Sequence, residues 1–349
     1  MAALTHAPGV IVRGVALGEG AAVAALWQEL WEAHEVWGGY PGSRDRRVYA
    51  QLARRLDDDA FVRAGHPVLG RHVHLVADLA GVVCGQVEGW FEQHGVDPST
   101  PFTCDVRSLV VSEHARKLGA GRALLDALAG CARSLSAGAT CVLAAEVLER
   151  NPAHGFYAKV GYTQVAWSAR IGAEQGALAS ADGGRPLRAR VAVPRDALAI
   201  ARLEMMLAAR RRTCGDARFD RPRMLDATAV AAIAAQLASD APASLREPAV
   251  LVVCDEAGMV RGSASFTVHT LEPPFLPLRR ALFGRFALDT GSSTAAMLLP
   301  LVALACKLAL SRGATLVELS DLSPPGTELH DAALATGAYA WSRVVIKAA

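Results

Sequence analysis

The chain has 349 residues, 52% hydrophobic and 20% charged, which is enough for roughly two globular domains with packed cores. Lys and Arg number 36 against 34 Asp and Glu, and the net charge is +2. That near-balance excludes a protein that holds nucleic acid in a strongly basic field, so no nucleic-acid partner is expected.

The cysteines, the N-terminus and the most apolar run bear on the expected cellular location of the protein. The seven cysteines include no C-x-x-C pair and lie mostly in apolar runs, which favours free thiols in a reducing, cytoplasmic location. The first ten residues, MAALTHAPGV, lack the basic and apolar regions of a secretory signal. Residues 295–310 contain Pro300 and Lys307 and fall short of the ~20 residues that span a bilayer, so they predict a buried helix and no membrane partner.

The chain contains two copies of one pattern. Residues 78–85 read DLAGVVCG, and residues 255–262, 177 positions later, read DEAGMVRG. Likewise, LSAGAT at 135–140 recurs as LSRGAT at 310–315. Because the matches keep their order and nearly one offset, they predict a duplicated domain rather than a short repeat.

The predicted domains are residues 1–171 and 187–349. Between them, residues 172–186 read GAEQGALASADGGRP, a composition typical of linkers. Each half predicts a strand, one or two helices, a hairpin, a strand, a long helix, a strand, a short helix and a last strand. This order is typical of an α/β (α+β) fold with a mixed central sheet.

The stretch RKLGAGRALL, residues 116–125, places two glycines between a predicted strand and a predicted helix. The first turn of a helix leaves backbone N–H groups unsatisfied and carries a partial positive charge. Glycine lets that backbone approach a phosphate closely. Formal positive charge comes from Arg116, Lys117 and Arg122. The stretch predicts a pyrophosphate cradle; the alternative is a tight turn with solvated basic residues.

Arg116-x-x-Gly119-x-Gly121 resembles the R/Q-x-x-G-x-G/A motif of the GCN5-related N-acetyltransferases, the GNAT family. Two departures leave the glycines in place: Lys117 stands where glycine is usual, and Glu113 stands where proline is common.

A second segment extends the resemblance over residues 9–170. NPAHGFYAKVGY resembles the family's N-x-x-A-x-x-x-Y-x-x-x-G-F/Y segment, with Asn151, Tyr157, Gly161 and Tyr162 aligned. The resemblance implies two tandem GNAT-like domains, each with a mostly antiparallel central sheet flanked by helices. It also implies acetyl-CoA as co-substrate and no metal.

The resemblance assigns roles to named residues. Backbone groups of Leu109, Val110 and Val111 would lie beside the pantetheine arm, with an N–H polarising the thioester carbonyl. Asn151 would contact the cofactor or cap the short helix. Tyr157 would be the general acid for the thiolate, because a phenol is protonated at neutral pH. The pyrophosphate would be held by Arg116, Lys117, Leu118, Gly119, Ala120, Gly121 and Arg122.

Three carboxylates compete for the role of general base. Asp105 stands on the predicted strand before the motif, where some members of the family place a carboxylate. Glu88 on the hairpin strand and Glu146 on the next strand are the competitors. A carboxylate in a partly dry cleft has a raised pKa and can take an ammonium proton.

The amine acceptor is expected beside residues 26–40, LWQELWEAHEVWGGY. The candidate contacts are Trp27, Trp31, Glu32 and Trp37, since aromatic faces beside carboxylates suit a cationic amine. The alternative is an amphipathic helix with an ordinary apolar face. His72 and His74 alternate on a predicted strand, but no Cys or acidic residue stands at ligand spacing, so no metal site is predicted.

The second copy lacks the motif. Gly291, Thr294 and Ala296 align with Arg116, Gly119 and Gly121, and no tyrosine aligns with Tyr157. The C-terminal half is therefore predicted to keep the fold and to have lost the cofactor site.

The sequence favours an acetyl-CoA-dependent N-acetyltransferase that acetylates a small-molecule amine by direct attack in a ternary complex. Two alternatives stay open: a protein lysine or N-terminal acetyltransferase, and a non-catalytic acyl-CoA sensor. The two halves are expected to form a pseudo-dimer within one chain, which would be a monomer or a homodimer.

Overall fold

A computed structural model describes residues 4–7, 9–64, 68–93, 102–136, 140–178, 187–219, 227–238, 249–322 and 327–349. The chain divides into two compact units. Unit 1 comprises Met1–Thr163, Glu272–Leu276 and Val345–Ala349, and unit 2 comprises Gln164–Leu271 and Pro277–Val344.

Unit 1 is built on an antiparallel sheet that ends in one parallel pair. Its strands are β1 (Leu4–Ala7), β2 (Val10–Gly14), β3 (Val68–Leu69), β4 (His72–Leu79), β5 (Val82–Gln93), β6 (Phe102–Val111) and β7 (Cys141–Leu148). Its helices are α1 (Gly20–Val36), α2 (Arg46–Arg63), α3 (Ala120–Leu135) and α4 (His154–Lys159). The main strand order is β1-β2-β4-β5-β6-β7, and only β6 and β7 pair in parallel within it.

Alternation along β4 and β5 separates two layers of unit 1. Val73 and Leu75 on β4 and Val87 on β5 pack with α3 in the main core. Val76 and Trp27 join α1 and α2 in a second cluster on the other face. Successive side chains of a strand point to opposite faces, so polar residues that alternate with this core face the side covered by α1 and α2.

Unit 2 repeats the order of unit 1. Its strands are β8 (Thr163–Gly172), β9 (Arg188–Val191), β10 (Ala249–Cys254), β11 (Val260–Thr270), β12 (Arg279–Leu288), β13 (Leu316–Leu322) and β14 (Tyr339–Ala348). Its helices are α5 (Ala173–Leu178), α6 (Ala197–Thr213), α7 (Ala227–Leu237), α8 (Thr294–Ser311) and α9 (Glu328–Ala335). The order β9-β10-β11-β12-β13, with β12 and β13 parallel, matches β2-β4-β5-β6-β7 of unit 1. The predicted duplication is confirmed.

The unit boundaries fall at other positions than 1–171 and 187–349. From Gln164 onward β8 belongs to unit 2, where it pairs antiparallel with β13. Residues Val345–Ala349 belong to unit 1, where the Ala349 amide donates to the Cys141 carbonyl at 2.9 Å. These boundaries are set by strand pairing between residues that are distant in sequence. The composition of a segment does not reveal such pairing.

The predicted linker 172–186 is partly ordered structure. Ala173–Leu178 forms α5, and the buried Ala173 packs in the core of unit 2. Small residues suit this helix, because an added side-chain carbon at Gly176 would overlap the Cys306 sulfur. Residues 179–186 lie outside the described part of the chain.

Helix α8 meets the length and hydropathy of a membrane span. One face, including Met297, Leu298, Leu301 and Val302, is fully buried in the core of unit 2. The run 295–310 therefore forms a core helix, as predicted.

A buried ion triad in unit 2 yields a stability prediction. The Glu318 carboxylate, 3% exposed, accepts from Arg170 Nε at 2.7 Å and also from Arg280. Glu318→Gln removes the charge that pairs with the buried Arg170, and breaking such a pair costs about 3–5 kcal/mol. Urea unfolding of the full chain should show this loss, whereas Glu256→Gln, at an exposed position, should change stability little. Equal midpoints for both variants would contradict the prediction.

Candidate functional site

The parallel pair in unit 1 is paired over only part of its length. Registers run from Phe102↔Cys141 to Val106↔Ala145, although β6 continues to Val111 and β7 to Leu148. The register of β5 with β6 also shifts between Gln86 and Glu88, and Ser108 has a φ of +52°. This combination is a β-bulge, a device that re-aims backbone groups next to sites. It leaves the β7-facing edge of Leu109–Val111 outside the described strand pairing.

The N-terminus of α3 follows this strand. Gly119 is its N-cap with a φ of +89°, and no side chain caps the helix. For the amides of Gly119, Ala120 and Gly121, no acceptor lies among the described residues. The preceding turn is exposed and carries Arg116, whose Nε donates to the Val111 carbonyl at 3.1 Å. Uncapped amides and an exposed cationic turn together fit an anionic diphosphate.

Lys117 occupies a backbone position that glycine normally holds. Its φ is +70°, in the left-handed region where a side chain is disfavoured. The departure from the family motif thus keeps the backbone geometry at a cost of about 1–2 kcal/mol and adds a cation to the turn.

The two motif glycines serve different purposes. Gly119 has the positive φ that starts the helix, whereas Gly121 lies inside α3. A side-chain carbon at Gly121 would lie 3.2 Å from the Phe156 ring. Gly121 therefore makes room for Phe156 of α4, in addition to any approach of a ligand.

The NPAHGFYAKVGY segment forms α4 and its flanks. The Asn151 Oδ1 accepts from the Ala153 amide at 2.9 Å, which forms a turn just before α4, whose N-cap Ala153 has no side-chain cap. Tyr157 is 9% exposed and contacts Phe156 and Tyr162 edge to face. Burial raises the pKa of Tyr157 above the ordinary range, so the phenol stays protonated. Arg122 Nη2 donates to the Lys159 carbonyl at 3.3 Å, which ties α3 to the end of α4.

The corresponding helix end in unit 2 is occupied by the chain's own groups. Ser293 caps α8, its Oγ accepting from the Ala296 amide, and Thr294 Oγ1 donates to the Glu328 carboxylate at 2.8 Å. The bulge is kept, since Arg285 has a φ of +54°. Unit 2 thus retains the strand geometry but places a side-chain cap and a negative charge where unit 1 presents open amides.

The candidate bases differ in environment. Glu88 is 8% exposed, and His72 Nε2 lies 3.0 Å from its Oε1. Burial alone would raise the pKa of Glu88, but hydrogen bonds to His72 and Ser108 and attraction to both histidines hold it below the usual value. Asp105 is partly exposed and pairs with Arg107 at 3.2 Å, and Glu146 is exposed. Glu88 also makes a side-chain hydrogen bond with the bulge residue Ser108.

The predicted acceptor residues contact different neighbours, although Trp31 and Trp37 both touch the His34 ring. Trp27 stacks on His74 with ring centroids 6.1 Å apart, so it lies beside the Glu88 cluster. Trp31 packs on Phe275 at 4.6 Å. Glu32 is exposed and accepts from Gln28, and Trp37 contacts His34.

His72 and His74 gain an acidic neighbour in the structure. Registers His72↔Trp90 and His74↔Glu88 bring Glu88 across from them on β5. Sequence reasoning sought a partner at short spacing and so missed this cluster, whose members come from two strands. The period-2 alternation of polar residues in both strands is the signal that could have found it.

The part of the chain that carries this geometry matches a known protein family. The sequence model of the Acetyltransferase (GNAT) family matches residues 24–162. No curated protein sequence matches the chain. Among solved structures, a GCN5-related N-acetyltransferase from Sphaerobacter thermophilus is 14% identical, with a TM-score of 0.54 over 99% of this chain and 97% of that one.

Two further structures are similar. The N-acetyltransferase region of a fungal multi-domain β-N-acetylglucosaminidase is 14% identical, with a TM-score of 0.53 over 99% of this chain and 39% of that one. A tandem GNAT protein from the clavulanic acid biosynthesis pathway is 16% identical, with a TM-score of 0.49 over 97% and 98%. Residues 24–162 therefore match the GNAT family of acetyltransferases, and the fold of the whole chain is similar to that of a solved GCN5-related N-acetyltransferase.

Proposed function

We propose that the chain transfers an acetyl group from acetyl-CoA to a primary amine of a small molecule, with a single working site in unit 1. The observation that carries this proposal is the uncapped N-terminus of α3 beside the bulged end of β6. Diphosphate binding there would use the amides of Gly119, Ala120 and Gly121. The surrounding cations would be Arg116, Lys117 and Arg122.

The proposed chemistry needs no covalent intermediate on the protein. Backbone groups of Leu109, Val110 and Val111 would hold the pantetheine arm, and an N–H among them would stabilise the developing oxyanion. The amine attacks the thioester carbonyl as it gives a proton to a base, and the C–S bond breaks. Tyr157 would supply a proton to the departing sulfur.

Glu88 is better placed than Asp105 to act as the general base. Its contact with Ser108 puts it at the bulge, where the carbonyl would be held. Asp105 is instead engaged with Arg107 at a partly exposed position. Trp27, on the same side of the sheet, would contribute an apolar wall for the acceptor.

Unit 2 would act as a structural partner. The Ser293 cap and the Glu328 carboxylate disfavour a second diphosphate at α8. We propose that the two covalently linked units behave as a pseudo-dimer.

A thiol-release assay with acetyl-CoA tests the function across a panel of small amines, lysine peptides and peptides with free N-termini. Acceleration by small amines alone supports the proposal. Acceleration by peptides alone would move the assignment to protein acetylation. Tight binding of CoA without acceleration by any amine would favour the acyl-CoA sensor.

Glu88→Gln should lower kcat/KM about 100-fold, at the low end of general base contributions, because solvent can also deprotonate the amine. For the same reason, raising the pH should restore part of the rate. Asp105→Asn is the matched control and should keep most of the activity. If Asp105→Asn gives the larger loss in pH–rate profiles, Asp105 is the base instead.

A further inference from the structure

The polar face between β4 and β5 holds a compact donor cluster outside the proposed CoA contacts. A ring nitrogen of His72, a ring nitrogen of His74 and a carboxylate oxygen of Glu88 all lie within 4.8 Å of one another. His74 is fully buried, and the side chains of His72 and Glu88 are 13% and 11% exposed. Three metal-binding donor atoms therefore lie close together in a site that is almost inaccessible to solvent.

His74 has the form that a metal ligand requires. Its Nε2 lies 2.8 Å from the Gln86 Oε1, which assigns the proton to Nε2. Its Nδ1 is buried, with no hydrogen-bond partner in the described part of the chain. A ring with its single proton on Nε2 is neutral and leaves the Nδ1 lone pair free. A neutral imidazole that donates one N–H to an oxygen and offers the other nitrogen is the usual arrangement at metal centres.

We propose that His72, His74 and Glu88 bind one divalent transition-metal ion such as Zn²⁺. Two imidazoles and one carboxylate are a set that binds zinc with a fourth position open to another ligand. Gln86 is the positioning residue that orients His74. The site is additional to the proposed acyl transfer, which needs no metal.

The positive charge of Arg63 disfavours a metal ion in this cluster. The Arg63 guanidinium, 4% exposed, interacts electrostatically with both Glu88 and His74. Asp59 lies 3.8 Å from it and offsets part of its charge. Glu88 supplies the remaining negative charge, so the cluster tolerates a divalent ion only with Glu88 ionised.

The rival account is a His–Glu hydrogen-bonded pair that satisfies buried groups without a metal. It explains the 3.0 Å contact between His72 and Glu88. It leaves the buried Nδ1 of His74 without a role. Direct metal binding distinguishes the two accounts.

The test uses metal-free, tag-free full chain with Cys214→Ser, so that the exposed Cys214 thiol does not compete for zinc. Calorimetry with Zn²⁺ and the visible spectrum of bound Co²⁺ should show one ion per chain. Glu88→Gln should abolish this binding, and Gln86→Leu should weaken it about 10- to 100-fold. His269→Gln, at an exposed position on β11, should bind as the parent does.

Absence of binding to the parent chain would overturn the proposal, as would equal affinity in Glu88→Gln. Circular dichroism and CoA affinity of each variant establish that the fold is kept. One consequence rests on the proposed function: since Glu88 is also the proposed base, Zn²⁺ should inhibit thiol release. Metal binding is measured without substrate, so its failure and the failure of acetyl transfer remain distinguishable.

Discussion

Gly119→Val is expected to weaken binding of coenzyme A to the full chain by about 10-fold or more. Gly119 starts α3 with a φ of +89°, where a side chain costs about 1–2 kcal/mol. The turn can relieve that strain only by rotating away from the left-handed region, which moves the open amides of Ala120 and Gly121. A loss of 1.4 kcal/mol corresponds to a tenfold change in affinity. Isothermal titration calorimetry with CoA measures this change in affinity.

Gly258→Val is the matched control for backbone strain. Gly258 has a φ of +78° and no heavy atom within 4 Å of an added side-chain carbon, and it lies in the β10–β11 hairpin of unit 2. The variant should lose comparable stability while CoA affinity stays at the parent value. Equal loss of affinity in both variants would show that general destabilisation, not the α3 amides, controls binding.

The local parts of this site could be predicted from sequence. Strand, turn and helix are contiguous around residues 105–135, so the glycines, the cations and the helix start could be placed relative to one another. The element order of both halves follows from the same local patterns, reinforced by the repeat. The second copy could be distinguished in the same way, because the residues that replace the motif are also contiguous.

What depends on pairing between distant strands could not be predicted. The Glu88 cluster exists because of the register of β4 with β5, and the bulge at Ser108 sets which residue meets Glu88. The assignment of Val345–Ala349 to unit 1 depends in the same way on contacts with β7. Single-sequence patterns give the face on which a residue lies, but they do not give the register that selects its neighbour.

Tyr157→Phe is expected to lower kcat by about 10²- to 10⁴-fold, the range of general acid–base contributions. CoA affinity should be unchanged, because the substitution keeps the ring that packs on Phe156 and Tyr162. Only the proton donor is removed. Steady-state kinetics with the best amine of the panel, beside CoA titration, separates the chemical step from binding.

Tyr162→Phe removes the same hydroxyl from the neighbouring ring. The two rings lie edge to face, 5.3 Å apart, and the Tyr162 hydroxyl is buried without a hydrogen-bond partner among the described residues. Loss of that group should leave kcat near the parent value, since no proton transfer is assigned to it. If Tyr157→Phe keeps kcat within about tenfold, or if both variants lose the same activity, the Tyr157 phenol is a packing group. The proton for the thiolate must then come from solvent.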